Sequence, residues 1–164
     1  MSIKNIKILS MNSHFYALLF RGFLSGYNKP CEIRTLFMAL PILLYSDSRE
    51  KLISANKTSR MESLFNKPKE LENNKKISGK SDLAGYIKHF EDVKGLSKKA
   101  IIILYSQDNI RLEGNRIFLT SESINHLNYK GEIRNWIRAA YYLGIIFAKT
   151  NEDHINYFLG VDIR

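Results

Sequence analysis

The chain has 164 residues and a mass of 19.0 kDa, with 45% hydrophobic and 25% charged residues. This composition excludes an intrinsically disordered chain, and the length allows a substantial hydrophobic core. The single cysteine, Cys31, excludes an internal disulfide and a zinc site built from several cysteines. The net charge of +9 predicts an acidic partner, which nucleic acid, a membrane surface or an acidic protein face would each provide.

The apolar segments disfavour a secreted protein and a membrane-spanning protein. Residues 1–10 lack the long apolar stretch of a signal peptide. The two longest apolar runs are interrupted by Arg21 and Pro41, and both are shorter than the ~20 residues that span a bilayer. We therefore expect a soluble, cytoplasmic protein that does not engage membranes.

The first predicted helix begins after Asn12 or Ser13 and ends near Gly26, and it carries two apolar stripes at helical spacing. The first stripe consists of Phe15, Leu18, Leu19 and Phe23, and the second of Tyr16, Phe20, Leu24 and Tyr27. Because one small core cannot cover both stripes, one is expected to meet another protein, and the second is the candidate. Replacing Phe20 and Leu24 with serine is then expected to release the partner and leave the chain folded.

Arg21 is the only charged residue inside this helix. Its guanidinium would either bind a carboxylate of a partner or pair with an acid of the same chain. The internal candidates are Glu32, Asp47 and Glu50.

The chain then contains the apolar run 36–45, which we interpret as a buried helix kinked at Pro41. A polar, basic stretch follows and predicts a linker at 67–80 between an N-terminal helical lobe, 1–66, and a second lobe, 81–164. Six basic residues, two before the linker and four within it, are candidate DNA phosphate contacts: Lys57, Arg60, Lys67, Lys69, Lys75 and Lys76. The alternative is an ordinary solvated loop. Because aromatic residues are scarce there, base-specific recognition is not expected.

The second lobe predicts a winged-helix unit. One helix begins at Ser81 or Asp82 and ends at Gly95, and a second begins at Ser97. A β-hairpin around Gly114-Asn115 follows, then a helix over 131–149 and a last short helix. The second helix has an apolar centre, so we interpret the unit as a protein-contact module whose Lys98 and Lys99 make phosphate contacts at most. The predicted fold is mainly α, of the α+β class.

The first half of the chain resembles a known family. The residues that carry the resemblance are Asn12, Arg21-Gly22-Phe23, Gly26-Tyr27, Leu40-Pro41, Leu43-Leu44-Tyr45, Arg49-Glu50, Leu52 and Thr58-Ser59. They are similar to the middle component of three-component ABC systems, the anti-phage and anti-plasmid defence operons of the Lamassu type. The family pattern has a histidine where Tyr45 stands and a proline where Ile53 stands. The similarity covers about 60 residues well and the rest loosely.

The resemblance implies a non-enzymatic adaptor subunit without a cofactor. Its partners would be an SMC-like ABC ATPase, an effector nuclease and, through the complex, double-stranded DNA. The residues predicted to bind a partner protein are Tyr16, Phe20, Arg21, Leu24, Tyr27 and Arg49.

Enzyme hypotheses have less support in the residues. No glycine-rich phosphate loop followed by lysine occurs, and the four histidines are scattered, so neither an ATPase nor a metal site is predicted. Asp108 and Glu113 faintly suggest the acidic pair of a nuclease, although the lysine expected two residues later is replaced by Asn115. The main alternative to the adaptor is a stand-alone winged-helix DNA-binding regulator, and a small nuclease is the third.

Overall fold

The computed structural model describes residues 12–65, 69–70, 76–77 and 85–159, and these form a mainly helical α+β fold, as predicted. The helices are α1 Ser13–Tyr27, α2 Ile33–Leu44, α3 Ser46–Ile53, α4 Met61–Phe65, α5 Tyr86–Ser106, α6 Gly131–Ala148 and α7 Glu152–Leu159. The strands are β1 Cys31–Glu32, β2 Lys69–Glu70, β3 Lys76–Ile77, β4 Ile110–Glu113 and β5 Arg116–Leu119.

Helix α1 begins and ends where its polar residues can satisfy the backbone. The Asn12 side chain accepts a hydrogen bond from the His14 N–H at 2.9 Å, as the predicted N-cap requires. At the other end Asn28 adopts a left-handed conformation with φ of 54°, and its N–H donates to the Leu24 carbonyl. The helix is therefore bounded by two asparagines.

Helix α1 lies in the middle of the core because other helices pack against it from different directions. Its most extensive contact is with α6, and it also packs against α5 and α2. Phe15 meets Trp136 of α6 edge to face at 5.3 Å between ring centroids, and Phe23 meets Phe147 in the same way at 5.6 Å. A single hydrophobic cluster thus draws on helices from both predicted lobes.

Small residues let α1 and α6 approach closely. A Cβ added at Gly144 would overlap the Phe23 carbonyl oxygen, and one added at Gly26 would overlap the Tyr141 carbonyl oxygen. Gly22, the other glycine of α1, leaves ordinary space, with its nearest neighbour the Ala140 Cβ at 3.4 Å. The close approach is therefore centred on Gly26 and Gly144.

The run containing Pro41 is a buried helix, as predicted. Pro41 lies inside α2 and is itself buried. The Tyr86 hydroxyl of α5 donates to the Met38 carbonyl at 2.8 Å, and burial raises the pKa of that phenol. Helix α5 is thereby attached to α2 by a buried hydrogen bond.

The prediction of two helices separated at Gly95 is wrong, because α5 is continuous from Tyr86 to Ser106. Gly95 lies in its exposed face, while Val93, Ser97 and Ala100 continue the buried face across it. Burial on both sides offsets the roughly 1 kcal/mol that a mid-helix glycine costs. The helix–turn–helix part of the predicted winged-helix unit is therefore not formed, and Ser97 is not an N-cap.

This arrangement predicts that Gly95→Ala stabilises the protein. A Cβ at this position meets nothing within 4 Å, so the substitution adds helix propensity without a clash. We expect the free energy of unfolding to rise by about 0.5–1 kcal/mol. Urea denaturation followed by circular dichroism measures it, and a destabilised variant would contradict the continuous helix.

The predicted hairpin is confirmed, with β4 and β5 paired antiparallel around Gly114-Asn115. Gly114 has a φ of 60°, which a glycine adopts easily at the first position of a two-residue turn. Strand β1 pairs with the other side of β5, through Cys31 opposite Ile117, and gives the sheet order β1-β5-β4. The sequence did not indicate β1, which has only two residues.

Most of the predicted linker, 67–80, lies outside the described residues. Within it the structure describes β2 and β3, which pair antiparallel with Lys69 opposite Ile77. The sequence pattern did not indicate this short ladder. The division into lobes at 67–80 stays a prediction.

Candidate interaction surfaces

The second apolar stripe of α1, predicted to bind a partner, is inside the protein. The exposed fraction is 2% for Tyr16, 0% for Phe20 and 3% for Leu24, and Tyr27 is half-buried. In the first stripe Phe15, Leu19 and Phe23 are buried and Leu18 is half-buried, because several helices surround α1. The prediction that one stripe is left open is wrong, since α1 has more neighbours than a single core face would provide.

Arg21 is half-buried, and its Nε has no hydrogen-bond partner among the described residues. The described part of the chain shows no ion pair between Arg21 and Glu32, Asp47 or Glu50. A buried guanidinium nitrogen without an acceptor is costly. The predicted partner contact of Arg21 stays a prediction.

Arg49, also predicted to bind a partner, is engaged within the protein. Its Nη1 donates to the carbonyls of Leu43 at 2.9 Å and Leu44 at 3.2 Å, at the end of α2. The guanidinium carbon lies 3.7 Å from the centroid of the Trp136 ring. Burial lowers the pKa of Arg49, while Glu50 and Glu132 oppose that change. Arg49 thus caps one helix and stacks on another, which is a structural task.

We expect Arg49→Lys to destabilise the protein by about 2 kcal/mol, because an ammonium cannot both reach two carbonyls and stack as a plane on Trp136. Arg134→Lys, at an exposed position of α6, is the matched control and should change stability by less than about 0.5 kcal/mol. Denaturant unfolding compares the two variants. Equal stabilities would contradict the structural role of Arg49.

The loop after α3 carries Lys57 and Arg60 and is fixed to α6. Arg138 of α6 donates from Nε to the Ile53 carbonyl at 2.9 Å and from Nη2 to the Ala55 carbonyl at 3.0 Å. Lys149 Nζ donates to the Lys57 carbonyl at 2.7 Å. The loop therefore presents its two cations from a defined position.

These cations are free to bind an anion. Lys57 and Arg60 are exposed, and neither pairs with an acid among the described residues. Partial burial and the nearby charge of Arg60 lower the pKa of Lys149, which indicates crowding of like charge. No sequence pattern indicated that Lys149 joins Lys57 and Arg60, because Lys149 lies far from them along the chain. We call Lys57, Arg60 and Lys149 the basic cluster.

The remaining predicted phosphate contacts are distributed differently. Lys98 and Lys99 are exposed on α5. The structure describes the backbone of Lys69 in β2 and of Lys76 in β3, but not their side chains. Lys67 and Lys75 lie outside the described residues. For these residues the predicted DNA contact stays a prediction.

A cleft of about 470 Å³ lies beside the basic cluster, and Lys57, His126, Tyr141 and Tyr142 are among its lining residues. His126 is 8% exposed, and its Nδ1 has no hydrogen-bond partner among the described residues. Burial lowers the pKa of His126, and two nearby arginines lower it further. This imidazole is therefore neutral near pH 7, so it does not add to the positive charge of the surface.

Exposed apolar side chains lie along the outer face of α5. Ile87 is 57%, Ile102 65% and Tyr105 57% exposed, on the side opposite Ala100 and Leu104. An apolar side chain in water favours contact with another protein. The sequence analysis interpreted the unit that contains this helix as a protein-contact module, but it named partner-binding side chains only on α1 and at Arg49, because the apolar centre of α5 did not indicate which residues face outward.

Two features concern the predicted absence of a metal site and the single cysteine. No group of three His, Cys, Asp or Glu side chains suited to a metal ion occurs in the described part. Burial raises the pKa of the Cys31 thiol to about 12, so Cys31 is a core residue and a poor nucleophile. Among the described helices, none is long and apolar enough to cross a membrane.

The described residues form a mainly helical protein with a basic loop held against α6, exposed apolar side chains on α5 and a small antiparallel sheet. A family model, that of the middle component 3 of ABC-three component systems, matches residues 2–163. The chain therefore belongs to this family of middle components. No curated protein and no solved structure matches the chain significantly.

Proposed function

We propose that this chain is the non-enzymatic adaptor of a Lamassu-type anti-phage and anti-plasmid defence complex. In this account it binds an SMC-like ABC ATPase and couples the sensing of double-stranded DNA to an effector nuclease. The observation that carries the proposal is the family match over nearly the whole chain, since a middle component works with the other subunits of its system.

The surface of the protein supports an adaptor with two kinds of contact. The exposed Ile102 and Tyr105 of α5 suit an apolar protein interface. Arg21 would donate hydrogen bonds to a carboxylate of the same or another subunit. The basic cluster suits phosphate, because Lys57 and Arg60 form no ion pair with an acid of the described part of the chain and the loop that bears them is held by Arg138 and Lys149. Ile102 and Tyr105 replace the buried stripe of α1 as the candidate partner contact.

The stand-alone regulator has less support. A winged-helix regulator inserts a short, separate recognition helix into the major groove. Here the two predicted helices form the single helix α5, so the described part of this unit contains no separate recognition helix. A regulator would nevertheless reveal itself by a saturable preference for one operator sequence. A nuclease would reveal itself by metal-dependent cutting.

Co-expression with the neighbouring genes, followed by a pull-down on a tag attached to this chain, tests the adaptor function. After nuclease treatment and a high-salt wash, phosphate-mediated association is lost, whereas an apolar interface survives. We expect the ATPase to be retained in stoichiometric amount.

An Ile102→Ser/Tyr105→Ser variant should no longer retain the ATPase while remaining folded, because both side chains are already in water. Recovery of this chain alone, as a soluble dimer, would contradict the proposal.

We further expect Lys57→Ser/Arg60→Ser to weaken DNA binding by the assembled complex without weakening the assembly. Removing two phosphate contacts should reduce the salt dependence, the slope of log K against log salt, by about 2. Lys88→Ser/Lys130→Ser removes the same charge at two exposed positions outside the basic cluster and is the control. Fluorescence anisotropy at several salt concentrations measures both. Equal slopes for the two variants would contradict a DNA contact at the basic cluster.

A further inference from the structure

The cleft beside the basic cluster adjoins a second, smaller cleft of about 250 Å³, because Asn28 and Ser123 line both. Together the two clefts form one elongated depression, which we call the long groove. One wall is held to α1 by the Ile124 N–H, which donates to the Ser25 Oγ at 2.9 Å. A wall that is fixed in advance lowers the entropic cost of binding a ligand.

The long groove carries a lysine in each cleft. Lys57 lines the larger cleft and Lys29 the smaller one, and both side chains are exposed. Neither lysine forms an ion pair with an acid in the described part of the chain. The Lys29 Nζ uses one of its donors on the Ala148 carbonyl, at 2.8 Å, and keeps the others. The groove therefore suits an anion that carries charge at more than one point.

Acidic side chains lie outside the long groove. Among the described residues that line its two clefts there is no Asp or Glu, and the exposed Glu122 lines neither cleft. Glu32 and Glu152 line a separate cleft that Lys29 also borders. In the larger cleft burial lowers the pKa of His126, and two arginines lower it further. The larger cleft therefore lies in a positive potential.

The larger cleft also presents flat and apolar side chains. Tyr141 and Tyr142 are half-buried and meet edge to face, with 5.3 Å between ring centroids. The His126 ring lies 6.1 Å from the first and 6.0 Å from the second. Leu127, at the same cleft, is 59% exposed, so the fold leaves an apolar side chain in water there. Nucleobases stack on rings of this kind, and a stacked base would cover Leu127.

An anion with flat apolar groups between its charges is a nucleic-acid strand. A duplex keeps its bases inside the stack, so only an unpaired strand offers them to a protein groove. An acidic peptide would match the lysines but would leave the tyrosines and Leu127 without a flat partner. The basic loop itself has few aromatic residues, and in the folded chain α6 supplies them.

We infer that the long groove binds a short single-stranded stretch of nucleic acid, with bases against Tyr141 and Leu127 and phosphates on Lys57 and Lys29. Stacking tolerates every base, so the groove recognises an unpaired strand and not a base sequence. The inference rests on the proposed function for the reason why DNA reaches this chain, and it specifies the form of DNA that is held. The binding itself is a property of the free chain.

Fluorescence anisotropy of the full chain tests the inference, with a labelled oligothymidylate of about 12 nucleotides and a duplex of the same length. The duplex has the higher charge density, so cations alone would favour the duplex. We expect the single strand to bind at least about fivefold more tightly at equal salt. Equal or tighter binding of the duplex would overturn the inference, and so would binding of neither.

Leu127→Glu and Ile87→Glu form a matched pair of variants. Both place a carboxylate on an exposed apolar position, at 59% and 57% exposure, and only Leu127 lines the long groove. We expect Leu127→Glu to weaken oligothymidylate binding at least about tenfold, and Ile87→Glu less than about twofold. Equal weakening by the two variants would overturn the inference, because it would report only the change in net charge.

Two more variants separate stacking from charge. Tyr141→Leu keeps an apolar side chain and removes the ring, so it should weaken binding at least about fivefold with an unchanged salt dependence. Lys57→Ser should instead lower the slope of log K against log salt by about 0.7. A folded Tyr141→Leu protein that binds as tightly as wild type would overturn the inference, since cations alone would then account for binding.

The pull-down of the ATPase separates this inference from the proposed function. A wild-type chain that retains the ATPase and does not bind the oligothymidylate would overturn this inference alone. A wild-type chain that prefers the oligothymidylate to the duplex but retains no ATPase would overturn the proposed adaptor function alone.

Discussion

The double substitution Phe20→Ser/Leu24→Ser is expected to unfold the protein. Both side chains are buried in the core around α1, at 0% and 3% exposure. Truncating a buried Phe or Leu costs about 3–5 kcal/mol each, and the new hydroxyls are buried in addition. The combined cost of the two truncations, about 6–10 kcal/mol, falls within the 5–15 kcal/mol that stabilises a typical domain.

Circular dichroism and proteolysis measure this outcome, with Ile102→Ser/Tyr105→Ser as the matched control. The control replaces one aliphatic and one aromatic side chain that are already exposed, so its stability should change little. A folded Phe20→Ser/Leu24→Ser protein that has only lost its partner would contradict this core and restore the second stripe as an interface.

The second large effect concerns the contact between α1 and α6. We expect Gly144→Ala to reduce the free energy of unfolding by about 3 kcal/mol or more, because its Cβ would overlap the Phe23 carbonyl and push two packed helices apart. Backbone atoms cannot yield as a flexible side chain does, so the helices themselves must shift. Gly26→Ala should behave similarly, since its Cβ would overlap the Tyr141 carbonyl.

Gly95→Ala is the matched control for these two substitutions, because it places the same methyl group in the middle of a helix with open space around it. Thermal or urea unfolding of the three variants should give two destabilised proteins and one that is slightly stabilised. A Gly144→Ala protein as stable as wild type would contradict the close approach of α1 and α6.

Local signals in the sequence predicted local structure well. Asn12 indicated the start of α1, Gly114-Asn115 indicated the hairpin, and the apolar period indicated α6 to within one residue of its end. Each of these features depends on a few neighbouring residues, whose propensities act over one or two turns of chain. The error at Gly95 arose because a glycine was interpreted as a helix end, although the buried period continued across it.

Features that depend on distant parts of the chain were not predictable in this way. The burial of Phe20 requires neighbours that lie far along the sequence, and no pattern inside α1 reveals how many helices will surround it. The two-residue strand β1 exists only because Ile117 is brought to Cys31 by the fold. The same holds for the link from Lys149 to the Lys57 carbonyl, which fixes the basic loop and spans most of the chain.

In the candidate site, too, the sequence indicated individual residues but not the contacts that distant residues make with them. Sequence reasoning named Arg49 as a partner contact, whereas in the structure Arg49 donates to the carbonyls of Leu43 and Leu44 and stacks on the ring of Trp136. It also named Lys57 and Arg60, which are exposed and unpaired among the described residues, so that part of the prediction remains open to test. The exposed Ile102 and Tyr105 could be identified only once the inner face of α5 was known.

The mass of the assembly formed with the other components tests the adaptor account most directly. Native mass spectrometry of the co-expressed system, after nuclease treatment, should give one complex that contains the ATPase and at least one copy of this 19.0 kDa chain. It should lose this chain when Ile102 and Tyr105 are replaced with serine. Free chain as monomer or dimer, beside an ATPase that assembles without it, would contradict the account.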